Sequence, residues 1–338
     1  MDYKRVIIRR FGGREVLELI EEEQVPEPAP GEVRIRVLVA GAAFTDVMIR
    51  KGMYPEVKQK PPFALGYDLV GVVDKLGDGA GRFRQGELVA DMTVIGAYSE
   101  YICLPESRLS KVPEGVDPAE AVSLILTYVT AYQMLHRVAH VTYGQRLLVH
   151  GAGGAVGTAV LQLGQLLGLD MYGTASSSKH ELVSRLGATP IDYEQEDFVE
   201  RIRNLTGDGV NVALDPIGGD NFKRSFSVLR QGGSLVAYGF YKAVVGKSDN
   251  IPVAFVRLAL WNILPNGRSA TFYSIGACRR KHPAWFSEDL THLFDLLKRR
   301  KIKPVIAERM PLCDVARAHE MLENGNVHGK IVLHVSDG

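Results

Sequence analysis

The stretch RLLVHGAGGAVGTAVLQLGQLLG, beginning at Arg146, constrains the fold more than any other part of the chain. A short apolar run ends at Val149, and Gly151, Gly153, Gly154 and Gly157 then open a segment with helical apolar spacing. A turn this tight lets backbone N–H groups and a helix N-terminus converge on a pyrophosphate. Ala155 and Val156 fall in the first turn of that helix, and Gly157 lets it pack closely on the strand. On its own such a motif can be a bare β–α turn. What surrounds it decides: short apolar strands (DMYGTA, NVALDPIGG, SLVAYGF) alternate with helix-length segments (SKHELVSRLG, NFKRSFSVLRQGG). Alternation of this kind predicts a parallel sheet with crossover helices, and here a Rossmann-type unit that binds a dinucleotide.

The flanks have a different texture. Residues 1–120 carry strand patterns such as VRIRVLVAGAAF and LVGVVDKLG between Pro and Gly punctuation. After residue 272 a helix (FSEDLTHLFDLLKRRKI) and a closing strand (GKIVLHV) follow. The predicted architecture is therefore α/β. A β-rich domain is assembled from 1–120 and 272–338, and a doubly wound parallel sheet, 121–271, is inserted into it. A chain of 338 residues is long enough for two cores.

Charge and cysteine usage exclude several functions. Forty Lys and Arg balance 39 Asp and Glu, so no global field draws in nucleic acid or anionic lipid. The cluster Arg279-Arg280-Lys281-His282 is local and reads as a solvated loop. Cys103, Cys278 and Cys313 are far apart with no CxxC, which argues against a disulfide framework or structural zinc. The opening MDYKRVIIRRFGG lacks a signal-peptide core, and the apolar run 252–264 is too short to span a bilayer and contains Arg257. A cytoplasmic protein is expected.

Which dinucleotide binds depends on the end of the second strand. An NAD site commonly places an acid there for the ribose 2′-OH. Here MYGTA runs into Ser176-Ser177-Ser178-Lys179, with hydroxyls and an ammonium but no carboxylate. Donors and positive charge suit a 2′-phosphate, so NADPH is the expected cofactor. Serine is also a common helix N-cap, which is the plainer reading of the same residues.

Taken in order, PEPAPGEVRIRV, FTDVMIRKGMYP, GYDLVGVV, GAYSEYICLP, HGAGGAVG, the IDYEQEDFVERIRNLTGDGVNVALDPIGG segment and GKIVL resemble the medium-chain dehydrogenase/reductase superfamily. The branch they are most similar to is the zinc-lacking quinone oxidoreductases. The resemblance implies a GroES-like catalytic domain with an inserted Rossmann domain. It also implies NADPH contacts at Thr127, Thr130, Tyr193, Gly239, Phe240 and Lys330, beside the turn residues, Ser176 and Lys179. Tyr54 matches a tyrosine of the family's quinone pocket and is the expected catalytic donor, with Ala43, Met48 and Tyr67 lining the substrate pocket. The family often has Asn at the position of Ala43 and sometimes Tyr at that of Met48, so this pocket is more apolar. Asp46 and Arg50 suggest a structural ion pair beneath it.

In the zinc alcohol dehydrogenases, a Cys stands where Ala43 is, and a Gly-His-Glu stands where Gly66-Tyr67-Asp68 is. Tetrahedral zinc needs thiolate, imidazole or carboxylate ligands, and the first two are missing here. His136 and His140 share a helical face but lack the Glu of an HExxH site. No metal is expected. Without a Lewis acid, a saturated carbonyl is a poor hydride acceptor, whereas a quinone or α,β-unsaturated carbonyl is electrophilic by conjugation. The expected activity is therefore NADPH-dependent, zinc-independent reduction of a quinone or enone. Two rivals remain: an NADPH-binding protein with little turnover, structural or RNA-binding as in some relatives, and a zinc alcohol dehydrogenase. The apolar VAFVRLALWNIL, with Phe255 and Trp261, reads as a lid over a bulky ligand, a subunit contact or core packing. The strand TFYSIG suggests a homodimer formed by edge pairing.

Overall fold

A computed structural model describes residues 2–246 and 250–336. Lys247, Ser248 and Asp249, which precede the apolar run 252–264, lie outside the described residues. The chain divides into a unit of residues 1–127 and 290–338 and a second unit of residues 128–289. The sequence expectation set these boundaries at 120/121 and 271/272. The later second boundary assigns the helix Ile275–Lys281 and the first half of the helix Pro283–Lys298 to the second unit.

The first unit is β-rich. Its larger sheet runs Ile306–Pro311, Lys330–His334, Glu32–Ala42, Leu69–Leu76, Leu88–Asp91, Ser110–Lys111, with Tyr101–Pro105 also pairing with Glu32–Ala42. Glu32–Ala42 forms its axis because Val33, Ile35, Val37 and Val39 alternate inward and are at most 2% exposed. On its far side lies Lys330–His334, antiparallel, with Leu333 opposite Ala40. The short helix Phe44–Arg50 follows directly. Asp46, in its first turn, accepts the Ala43 backbone N–H at 2.9 Å, so one donor at the helix start is satisfied by a carboxylate.

In the second unit six parallel strands are ordered Ala188–Asp192, Asp170–Ala175, Arg146–His150, Val210–Asp215, Leu229–Ala237, Ser269–Phe272. That is the 3-2-1-4-5-6 order of a doubly wound dinucleotide fold, in which ligands lie at the carboxyl ends of the strands. Both faces of the central strand are covered, so its middle is apolar: Leu147, Leu148 and Val149 are at most 1% exposed. One face packs Leu148, Tyr172 and Ala213 against Phe198, Ile202, Phe222 and Phe226. The helix before this sheet is π-helical over Leu124–Tyr128 and again over Gln133–Val138.

Candidate functional site

In the second unit the glycine-rich turn joins the strand Arg146–His150 to the helix Ala155–Leu166. Gly151 has φ +67°, which only glycine adopts without strain. A Cβ at Gly157 would lie 2.3 Å from the Gly151 carbonyl oxygen and 2.7 Å from the Ala152 backbone. This helix can approach the turn only without a side chain there. Ala152 donates its N–H to the Thr174 carbonyl at 3.0 Å, which ties the turn to the end of the second strand.

Beyond Thr174 the chain enters the Ser176–Lys179 loop. The hydroxyls of Ser176 and Ser178 stand 3.2 Å apart. The Lys179 stem lies across the turn, because a Cβ at Gly153 would come within 2.6 Å of the Lys179 Cδ. Burial pulls the Lys179 ammonium below its ordinary pKa, and an anion beside it would reverse that shift. Glycine cradle, hydroxyls and half-buried lysine fit a dinucleotide that carries a 2′-phosphate. Tyr193, just past the third strand, is 56% exposed. Gly239 presses on the Pro216 carbonyl, 2.8 Å from a Cβ built there. The Phe240 ring is stacked on Phe272 at 5.2 Å and belongs to the apolar core. Thr130 is buried in the helix Val129–Tyr132.

In the first unit the sequence GYD lies immediately before the strand Leu69–Leu76. Tyr67 is fully buried, and its phenol oxygen is 2.6 Å from that of the partly exposed Tyr54. Their rings meet edge to face at 5.8 Å. Burial, then the neighbouring Tyr54, pushes the Tyr67 phenol well above its ordinary pKa, so it stays protonated. Ala43 and Met48 are half-buried, and Thr127 is buried in the π-helical turn. Lys330, expected to reach the cofactor, is 2% exposed, and its ammonium is 3.5 Å from Asp68. Asp68 also accepts the Gly41 N–H at 3.0 Å. A Cβ at Gly41 would lie 2.2 Å from that carboxylate and 2.5 Å from the lysine nitrogen, so this buried pair requires glycine beside it. The structure thus gives Lys330 the role of counter-ion to Asp68.

Asp46 and Arg50 do not form the expected ion pair. The Arg50 guanidinium, buried at 0% exposure, donates to Glu323 at 2.9 Å and to the Gly12 carbonyl at 3.3 Å, and meets His319 Nδ1 at 3.2 Å. Its partners lie 269 and 273 residues away in sequence, which no local pattern reveals. Asp46 caps its own helix instead, and burial, with Asp68 nearby, pushes its carboxyl up to about 7.

The decoys and the apolar segment also resolve. His136 packs on Tyr132 with ring centroids 4.2 Å apart. Trp261 is stacked on Phe226 at 4.3 Å and packs, partly buried, against the core. The same helix, Ile251–Ile263, exposes Val253, Val256, Leu260 and Ile263 along one stripe. The strand Ser269–Phe272 ends the sheet, but the Asn262 amide already bonds both the Ala270 carbonyl, at 2.5 Å, and the Ala270 N–H, at 2.8 Å. At Ala270 that edge is closed to pairing.

Residues 29–114 match the family described as alcohol dehydrogenase GroES-like domain, and residues 186–333 match zinc-binding dehydrogenase. Among curated relatives, a synaptic vesicle membrane protein VAT-1 homolog from Danio rerio is 30% identical over 98% of this chain and 70% of its own length. A 2-haloacrylate reductase from a Burkholderia species is 32% identical over 97% of both chains. Escherichia coli quinone oxidoreductase complexed with NADPH superposes with a TM-score of 0.88 at 28% identity, covering 98% of this chain and 99% of that one. A Pseudomonas syringae quinone oxidoreductase gives a TM-score of 0.87 at 31% identity, over 98% and 99%. Despite the vesicle-membrane names, no helix among the described residues is long and apolar enough to cross a membrane. The zinc in one family description does not fit the side chains present. Among the described residues, no cluster of three or more His, Cys, Asp or Glu could hold a metal, and Tyr67 is bonded to Tyr54.

Proposed function

Because the chain belongs to the medium-chain dehydrogenase/reductase superfamily, in its quinone oxidoreductase-like branch, we propose that it is an NADPH-dependent, zinc-independent reductase of quinones or α,β-unsaturated carbonyls. The observation that carries this reading is the Tyr54–Tyr67 phenol pair at the position where a metal enzyme has its ligands. Bound NADPH supplies the hydride. The protein's part is to hold the cofactor and to stabilise the charge that develops on the acceptor oxygen. When a hydride adds to the β-carbon of a conjugated carbonyl, the electron pair moves onto that oxygen. Tyr54 is exposed enough to donate to it; with its proton so directed, Tyr54 accepts from the buried Tyr67, and that bond holds the outer phenol in one orientation. Two linked phenols stabilise that oxygen less than a Lewis acid would, which suffices for a conjugated acceptor and not for a saturated one. The Burkholderia relative named 2-haloacrylate reductase supports a conjugated acceptor.

The test is oxidation of NADPH by a panel of quinones, enones and matched saturated aldehydes, with wild type and Tyr54→Phe. Turnover of the conjugated compounds alone, reduced in the variant at unchanged NADPH affinity, is expected. Equal turnover of saturated aldehydes, or none of any compound, would overturn the reading.

The homodimer expectation moves from the strand edge to the helix. With Ala270 occupied by Asn262, the exposed stripe Val253, Val256, Leu260 and Ile263 is the better-supported contact. Ile263→Lys should then give a monomer by sedimentation. A variant that sediments as wild type would remove the helix from the interface.

A further inference from the structure

His150, the residue immediately before the glycine-rich turn, is 2% exposed, yet it is polar and follows the buried apolar run Leu147–Val149. Its ring has partners on both sides. Nδ1 is 2.9 Å from the Thr174 hydroxyl, and Nε2 is 3.0 Å from the Ser225 hydroxyl. Ser225 in turn donates to Asp215 Oδ2 at 2.6 Å, and Asn221 donates to the same oxygen at 2.8 Å. The other Asp215 oxygen accepts the Ile217 N–H at 2.7 Å.

The donors and acceptors fit one arrangement. The proton of Ser225 is directed to the carboxylate, so Ser225 can only accept from His150, whose Nε2 must carry hydrogen. Nδ1 then accepts from Thr174. A single polarised chain runs Thr174→His150→Ser225→Asp215. Serine, histidine and carboxylate occur together, but Ser225 is fully buried and is no nucleophile. The Phe198 ring meets the imidazole edge to face at 4.6 Å and closes it from another side.

The chain is placed where the fold binds its ligand. Thr174, His150 and Asp215 stand at or next to the carboxyl ends of the second, first and fourth strands. Thr174 is held twice, through its hydroxyl by His150 and through its carbonyl by Ala152 of the turn, and two residues later comes Ser176. We propose that His150 is a positioning residue for cofactor selection, fixing the phosphate turn at 151–157 and the 176–179 loop at one mutual distance, so that a 2′-phosphorylated dinucleotide meets both at once. The inference rests on the reading of 176–179 as the 2′-phosphate loop. The two arms of the network have different consequences. The Thr174 arm bears on the 2′-phosphate loop and hence on NADPH alone, whereas the Ser225–Asp215 arm sets the strand ends beneath the dinucleotide as a whole.

The experiment measures dissociation constants for NADPH and NADH by calorimetry, with thermal melting in parallel. Thr174→Val keeps the shape and removes the hydroxyl. One hydrogen bond's worth of positioning should lower the NADPH preference about fivefold, with NADH affinity within about twofold of wild type. Thr174→Ser restores the donor and should restore the preference. Ser225→Ala should weaken both cofactors by a similar factor, and His150→Phe should combine the two effects where it folds. Equal weakening of both cofactors by Thr174→Val, no change, or failure of the Ser variant to rescue would each overturn the proposal. Lys179→Met separates it from its premise. If that variant leaves the preference intact, the loop reading fails. If it abolishes the preference while Thr174→Val does not, only the role of His150 fails.

Discussion

Replacing Lys179 by methionine would remove a charge and little else. The methionine stem is long enough to keep lying over Gly153, where the lysine Cδ stands 2.6 Å from a Cβ position, so the turn keeps its cover. What disappears is an ammonium at the rim of the 2′-phosphate position. A charge-assisted hydrogen bond contributes roughly 1.5–3 kcal/mol. Lys179 is only partly buried, so water screens the contact and the lower end applies. About 1.4 kcal/mol is a tenfold change in affinity, so NADPH should bind about tenfold more weakly while NADH is nearly unaffected. The pH dependence has a definite sign. Burial sets the Lys179 pKa below 10.5 in the free protein. The NADPH advantage should therefore be full at neutral pH and decline as pH rises through that depressed value and the ammonium is lost. Added salt should reproduce part of the loss in wild type and little in the variant. Isothermal calorimetry with both cofactors, at two salt concentrations, checks all of this. Equal weakening of NADPH and NADH, or a wild type that binds them equally, would refute the assignment of charge recognition to this loop.

Gly157→Ala places a methyl group 2.3 Å from the Gly151 carbonyl. It should abolish binding of both cofactors and cost about 1–3 kcal/mol of stability, seen as a lower Tm. Incubation with chelators should leave quinone or enone reduction unchanged, and loss of activity that zinc restores would contradict the proposed zinc independence. His319, buried beside Arg50, has its pKa pulled down to about 3 from 6.5 by burial and by that guanidinium. The unfolded chain therefore binds the extra proton first, and this contribution to stability is present above 6.5 and lost as pH falls toward 3. His319→Gln, which keeps an acceptor for Arg50, should flatten the acid limb of a denaturation series by up to ~1.4 kcal/mol per pH unit.

The parts of the fold legible in sequence were those encoded locally. Alternating Val33, Ile35, Val37 and Val39 mark a half-buried strand, and the run at Leu147–Val149 followed by glycines marks the first strand and turn of a doubly wound sheet. Resemblance led to Tyr54, but the residue that orients it, Tyr67, was assigned only to the pocket wall, because a phenol–phenol bond depends on how the chain folds back. Arg50 was paired with Asp46 four residues earlier, since helical spacing is visible in sequence and a partner at Glu323 is not. Family resemblance singles out Lys330 and Phe240, but not the contacts they make, one with Asp68 and one with the aromatic core. The His150 network was missed although one signal was available: a lone polar residue closing an apolar run must find buried partners.

The strand Lys330–His334 lies second from one edge of the larger sheet of the first unit, between Ile306–Pro311 and Glu32–Ala42, although almost three hundred residues of chain separate it from the latter. On a ribosome this has a consequence for order. The contiguous second unit, residues 128–289, can close as soon as it has emerged, with all six of its strands in hand. The first unit must wait with Glu32–Ala42 lacking a neighbour until translation has passed Leu333. A chain halted before Lys330 should therefore show a protease-resistant second unit and a digestible N-terminal region, and one further strand of synthesis should protect both.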